Sequence, residues 1–128
     1  ARETIELCPP QFTLLSGDDA TAVELMEAGA RGVISVSANI APRRMREVCE
    51  AALSGDFIKA RILDAALRAL HKDLFVEASP IPVKWAVARM GLIGNAIRLP
   101  LVELPMAHQD TVLRAMQAAG IILEDQAA

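Results

Sequence analysis

Several residue types that common active sites require are absent or scarce in this 128-residue chain. Tyrosine does not occur, and aromatic residues amount to 3% of the sequence. The two histidines, His71 and His108, are isolated, because neither has a serine or cysteine at a spacing that predicts a catalytic triad. The two cysteines, Cys8 and Cys49, form no C-x-x-C pair, and the chain has no zinc pattern or glycine-rich phosphate loop. We therefore predict neither a bound metal nor a cofactor.

Charge and hydropathy exclude further classes of protein. The net charge of −3 and the pI near 5.3 argue against nucleic acid or a membrane surface as a partner, since both require a basic face. The apolar runs are far shorter than a membrane span, and residues 1–10 lack the basic and apolar regions of a secretory signal. Cysteines without disulfide spacing are typical of a cytoplasmic protein. The composition, 53% hydrophobic and 23% charged, predicts a globular domain.

The segment FTLLSGDDATAVELMEAGARGVISVSANIAP predicts two consecutive strand–loop–helix units. FTLLS (12–16) and GVISV (32–36) are short apolar runs bounded by turn residues, as buried strands are. A helix over 19–28, ended by Gly29, separates them, so the two strands are expected to run parallel. Such βα units build a barrel of eight, which takes about 250 residues. This α/β chain has room for two of them.

Helices alone are predicted after residue 41. They cover residues 41–55, 56–75, 83–91 and 107–119. Pro42 near the first turn, Gly55 at the end of the first helix and Asp56 as a cap of the second set their limits. We divide the chain into a βα part, 1–54, and a helical part, 55–128. A two-stranded sheet is unstable alone, so we expect a homo-oligomer or pairing with a further segment of barrel.

Two polar segments follow the predicted strands, where a βα barrel has its active site. The two carboxylates of SGDD have two interpretations. They are an acid–base or metal-binding pair, or Gly17 makes a tight turn, one aspartate caps the next helix and the helix dipole favours the second. In GVISVSAN the backbone near Ile34 either lines a pocket at the barrel mouth or is ordinary strand core. The lysines, Lys59, Lys72 and Lys84, all fall on helices, where exposed side chains are expected.

Four blocks in order along nearly the whole chain, LLSGDDA, GVISVSAN, LFVEASPIPVKWA and RLPLVELP, resemble the C-terminal half of the dihydrodipicolinate synthase family. The E-x-x-PIPVKWA pattern is the most specific of them. The family belongs to the pyruvate-dependent, Schiff-base class I aldolases. Sialic acid lyases and keto-deoxy-sugar aldolases share its fold but match these blocks less well.

The resemblance implies a fold and two site residues. The chain would form the last two βα units of a TIM (β/α)8 barrel, strands seven and eight, followed by a C-terminal appendage of three helices. The enzyme would be a lyase of lysine (diaminopimelate) biosynthesis that condenses pyruvate with aspartate semialdehyde. Ile34 matches the residue whose backbone carbonyl lies beside the imine lysine. Gly17 matches a glycine at the mouth of the pyruvate pocket.

The resemblance also implies that the catalytic groups lie outside this chain. In the family, the imine lysine is on the sixth strand, upstream of Ala1. A tyrosine–threonine–tyrosine relay and the arginine for the second substrate belong to the first half as well. We therefore predict no catalytic residue here and no lyase activity of the isolated chain. Two alternatives remain: a non-catalytic oligomerisation or binding module, and a phosphate-binding half barrel, which the acidic SGDD disfavours.

Overall fold

The computed structural model describes residues 2–121 and 123, and helices account for most of its regular structure. The helices are Arg2–Leu7 (α1), Ala22–Glu27 (α2), Pro42–Leu53 (α3), Phe57–Ala65 (α4), Arg68–Asp73 (α5), Ile81–Arg89 (α6) and Met106–Ala118 (α7), with a 3-10 helix at Ser37–Asn39. Among the residues described, no helix has the length and hydropathy needed to cross a membrane. The helical regions expected after residue 41 are all present. Helix α2 is shorter than the predicted 19–28.

The two predicted strands pair in parallel, as expected, but over far fewer residues than 12–16 and 32–36. Three bonds of 2.8 Å join them, donated by the N–H groups of Arg31, Ser16 and Ile34 to the carbonyls of Leu14, Gly32 and Ser16. Only Ser16 and Val33 form a bridge pair in this region. Because a two-stranded ribbon has no neighbour to support its outer edges, regular pairing is confined to its centre. The prediction of two full strands is wrong for the described residues.

The predicted single helix over 56–75 is two helices, α4 and α5. Asp56 caps α4 as predicted, since its Oδ1 accepts the Lys59 N–H at 3.0 Å. The helix is interrupted at Ala66 and Leu67, whose N–H groups donate to carbonyls three residues earlier, at 3.3 and 2.8 Å. This tighter bonding ends one helix before the next begins. Between residue 55 and the end of the described part of the chain there are therefore four helices, not three.

The core lies between the helices. Helix α3 packs against α4, α7 packs against α5 and α6, and the 3-10 helix packs against α3 and α6. The largest fully buried apolar side chains are Ile40, Val48, Leu67, Leu70, Leu74, Val112 and Met116. The only tryptophan, Trp85 on α6, is 7% exposed. The 3-10 helix, which follows the second paired segment, is therefore supported by packing against α3 and α6.

A loop over residues 92–105, without helix or strand, connects α6 to α7. Two side chains bond to its backbone: Lys84 Nζ donates to the Ala96 carbonyl at 2.8 Å, and Gln109 Nε2 donates to the Leu104 carbonyl at 3.0 Å. Leu104 is buried, whereas residues 91–96 are exposed. The loop thus has a packed end and an exposed tip.

Candidate functional site

Gly17 and Ile34 lie side by side at the carboxyl ends of the paired segments. The Ile34 N–H donates to the carbonyl of Ser16, at 2.8 Å, and that carbonyl belongs to the peptide group that leads into Gly17. Ile34 is 68% exposed, which is unusual for a large apolar residue beside a core. A Cβ at Gly17 would meet no atom within 4 Å. The two residues singled out from the sequence therefore border the same open surface.

The two aspartates of SGDD have different environments, and the environment of Asp19 matches neither interpretation of the sequence. Asp18 is exposed, and its Oδ2 accepts the Thr21 N–H at 3.0 Å and the Thr21 hydroxyl at 2.6 Å. It thereby supports the turn that leads into α2, close to the predicted capping role. Asp18 and Asp19 bond to separate groups and do not act as a pair. Among the described residues, no group of three or more His, Cys, Asp or Glu side chains is placed to hold a metal ion.

Asp19 is buried and bonds to the second polar segment, a role that neither interpretation of the sequence assigned to it. It is 2% exposed. Its Oδ2 accepts the backbone N–H groups of Val36 and Ser37, both at 3.0 Å. Its Oδ1 is buried with no hydrogen-bond partner among the residues described. One carboxylate thus ties the loop after the first strand to the loop after the second.

His71 is not isolated, contrary to the sequence-based expectation. Its Nδ1 lies 2.8 Å from the Ser37 hydroxyl, and its Nε2 lies 3.2 Å from Asp64 Oδ1. Ser37 is fully buried and His71 is 5% exposed. A signal for part of this network was available. Asp64 and His71 are seven residues apart, which puts them on one face of the single helix predicted over 56–75, and His71 follows the stripe of Leu67 and Leu70.

Cys49, on α3, is half-buried and packs against the core without being fully part of it. Burial raises the pKa of the Cys49 thiol above its ordinary value, and the negative charge of Asp19 adds to the effect. Both effects oppose formation of the thiolate, which is the reactive form. Cys49 is therefore unsuited to be a nucleophile in this arrangement.

The three lysines lie on helices α4, α5 and α6. Lys59 and Lys72 are exposed, as expected for helix surfaces. Lys84 is half-buried and donates to the Ala96 carbonyl, which was not expected. An amine that forms an imine has to be desolvated and free of other bonds. None of the three fits that description.

Comparison with known proteins gives a consistent result. The profile of the Dihydrodipicolinate synthetase family matches residues 1–119. The 4-hydroxy-tetrahydrodipicolinate synthase of Nitrosomonas eutropha is 56% identical over 119 residues, covering 93% of this chain and 41% of that protein. The corresponding synthase of Methylococcus capsulatus is 53% identical over 116 residues, covering 91% of this chain and 40% of that protein. The chain thus spans about two fifths of the length of these relatives.

Solved structures agree with the sequence matches. Dihydrodipicolinate synthase from Aquifex aeolicus superimposes with a TM-score of 0.92 at 37% identity, over 96% of this chain and 42% of that one. The Acinetobacter baumannii enzyme, whose structure is a complex with pyruvate, gives a TM-score of 0.91 at 46% identity, over 94% of this chain and 42% of that one. The chain belongs to the dihydrodipicolinate synthetase family.

Proposed function

We propose that this chain is the C-terminal part of a Schiff-base lyase that condenses pyruvate with aspartate semialdehyde, and that it supplies one wall of the pyruvate site. In this proposal residues 1–54 are the last two βα units of a TIM barrel and residues 55–128 are its helical appendage. The family membership supports the reaction class. The main observation that supports a place at the pyruvate site is the hydrogen bond from the Ile34 N–H to the Ser16 carbonyl, which brings Gly17 and Ile34 together.

The chain's contribution to the chemistry is positional. A Schiff-base mechanism requires a lysine whose amine is desolvated and forms an imine with the keto carbon of pyruvate. In this proposal the Ile34 carbonyl oxygen faces that pocket: Ile34 is exposed, and among the described residues no backbone N–H donates to its carbonyl. Gly17 leaves room for the substrate at the mouth. Without the sixth-strand lysine, the isolated chain has no lyase activity.

A hybrid barrel tests this assignment directly. The hybrid keeps the part of the Nitrosomonas eutropha synthase that precedes the region matched by this chain. This chain replaces the C-terminal part of that synthase. We expect borohydride to trap pyruvate covalently on the hybrid, and the hybrid to condense pyruvate with aspartate semialdehyde. The isolated chain, treated identically, should acquire no pyruvate adduct. A folded hybrid that neither traps pyruvate nor turns over would refute the proposed function, and an adduct on the isolated chain would refute its inactivity.

Gly17 offers a sharper test within the hybrid. Gly17→Val should raise the KM for pyruvate without lowering the Tm of the isolated chain, because its Cβ meets no atom of this chain within 4 Å. Gly94→Val is the matched control, since Gly94 has equally open surroundings but lies in the 92–105 loop. Equal effects of the two substitutions on the KM would contradict a place for Gly17 at the pocket.

A second candidate is a non-catalytic oligomerisation module, which an exposed apolar pair on α4 favours. Ile58 and Ile62 are 76% and 68% exposed and lie one helical turn apart. The test is light scattering of the isolated chain and of the Ile58→Ser/Ile62→Ser double variant. A defined oligomer that the double variant dissociates would support the module. A monomer at low concentration would contradict both the module and the expected homo-oligomer.

A further inference from the structure

A chain of hydrogen bonds links three elements beneath the strand ends. Asp64 on α4 bonds to His71 on α5, and His71 bonds to Ser37 in the 3-10 helix, at 3.2 and 2.8 Å. The side chains of His71 and Asp64 are 2% and 13% exposed. Ser37 has no exposed surface, so its hydroxyl cannot meet a substrate as a nucleophile. The network therefore holds structure in place; it does not form a hydrolytic triad.

The chemistry of these groups assigns the protons. Asp64, as a carboxylate, can only accept, so His71 Nε2 carries a hydrogen and donates to Asp64 Oδ1. A buried serine hydroxyl has to place its proton on an acceptor, and Nδ1 at 2.8 Å is such an acceptor when it is unprotonated. The arrangement thus favours the neutral imidazole with its hydrogen on Nε2. Asp64 selects that tautomer, and the tautomer lets Ser37 donate.

Two anchors hold the segment that follows Ile34. From one side, Asp19 Oδ2 accepts the N–H groups of Val36 and Ser37 at 3.0 Å. From the other side, His71 accepts the Ser37 hydroxyl. Only one residue, Ser35, separates Ile34 from the anchored backbone. A shift of Ser37 would therefore be passed on to the Ile34 peptide group.

We propose that His71 is a positioning residue: through Ser37 it fixes the backbone that presents the Ile34 carbonyl to the pyruvate site. The positioning role in the reaction rests on the proposed function. The stabilisation of the Ser37 segment by His71 does not rest on the proposed function, and it is measurable in the isolated chain. This separates failure of the inference from failure of the function.

The first measurement uses the isolated chain. Nitrogen-15 spectra of the imidazole should show His71 Nδ1 unprotonated and Nε2 protonated. Hydrogen exchange should show faster exchange of the Val36 and Ser37 amides in Ser37→Ala and His71→Ala than in the parent chain, with Ser37→Thr close to the parent because it keeps the hydroxyl. His108→Ala, on α7, is the matched histidine control. A proton on Nδ1, or unchanged exchange in both alanine variants, would overturn the inference.

The second measurement uses the hybrid barrel. Ser37→Ala and His71→Ala should lower kcat by roughly tenfold to a hundredfold, the range that a small misplacement near the reacting atoms produces. The KM for aspartate semialdehyde should stay unchanged, and Ser37→Thr should restore most of kcat. If Ser37→Ala is folded and its kcat equals that of the parent hybrid, the network has a structural role only and the proposal is wrong. If the parent hybrid traps no pyruvate, the proposed function fails, and the spectra and exchange rates still decide what His71 holds.

Discussion

Replacement of Asp19 by alanine tests how much the buried carboxylate contributes to stability. The substitution leaves the Val36 and Ser37 N–H groups without their acceptor, and hydrogen bonds to a charged group contribute about 1.5–3 kcal/mol each. It also removes the buried, unpartnered Oδ1, whose desolvation costs about 1–3 kcal/mol in the parent protein. The difference between these ranges spans about 0–5 kcal/mol, and its centre predicts that the free energy of unfolding falls by about 2–3 kcal/mol. For a chain of this length that lowers the Tm by on the order of 10 °C.

Urea unfolding followed by the fluorescence of the buried Trp85 measures this loss. Asp18→Ala is the matched control, because Asp18 is the adjacent residue and its side chain bonds, within the part of the chain that the structure describes, only to Thr21, three positions away. We expect that control to cost about 0.5–1 kcal/mol, as the loss of a local cap does. Equal costs for the two alanine variants would show that the bonds from Asp19 to the second loop do not contribute as argued.

Three further predictions concern single side chains. The raised pKa of Cys49 means that its alkylation by iodoacetamide accelerates at a higher pH than that of an ordinary thiol. The contribution of the Cys49 thiol to the free energy of unfolding is lost as the pH rises above about 8.5, because the unfolded chain releases the thiol proton first. An alkylation rate that depends on pH like that of a free thiol would contradict this prediction. Asp56→Ala should cost about 1 kcal/mol in thermal unfolding through loss of the α4 cap, and no change in Tm would contradict the cap. Leu70→Ala should cost about 2–5 kcal/mol in urea unfolding, whereas Leu53→Ala, at a 51% exposed position, should cost about 0.5 kcal/mol or less; similar costs would contradict the placement of the core.

The sequence predicted the features that depend on neighbouring residues. Pro42 at the first turn of α3, Asp56 at the cap of α4 and Gly55, with φ of +84°, after α3 all lie where their local chemistry places them. The parallel pairing of the two apolar runs also followed from their spacing around a helix. These signals act within a few residues of chain, so one sequence contains them in full.

The sequence did not predict the bonds that join distant segments. Asp19 and Ser37 are 18 residues apart, and Ser37 and His71 are 34 apart. The aspartate followed a glycine turn and the histidine lay in a helix, so each had a sufficient local explanation. Periodicity also could not show the interruption of the helix at Ala66 and Leu67, because the apolar stripe continues through it. Tertiary packing decided these points, and a local pattern carries no information about it.

The loop between α6 and α7 has a consequence for how the protein responds to proteases. Its exposed tip includes Gly94 and Asn95, whereas Leu104 farther along is buried against the core. Cutting the chain at the tip would leave α7 as a separate peptide that is still held by its contacts with α5 and α6. The nicked protein should therefore migrate as one species in a native gel and as two fragments in denaturant. Two fragments that separate in the native gel would show that the contacts of α7 with α5 and α6 do not hold it without the continuous backbone.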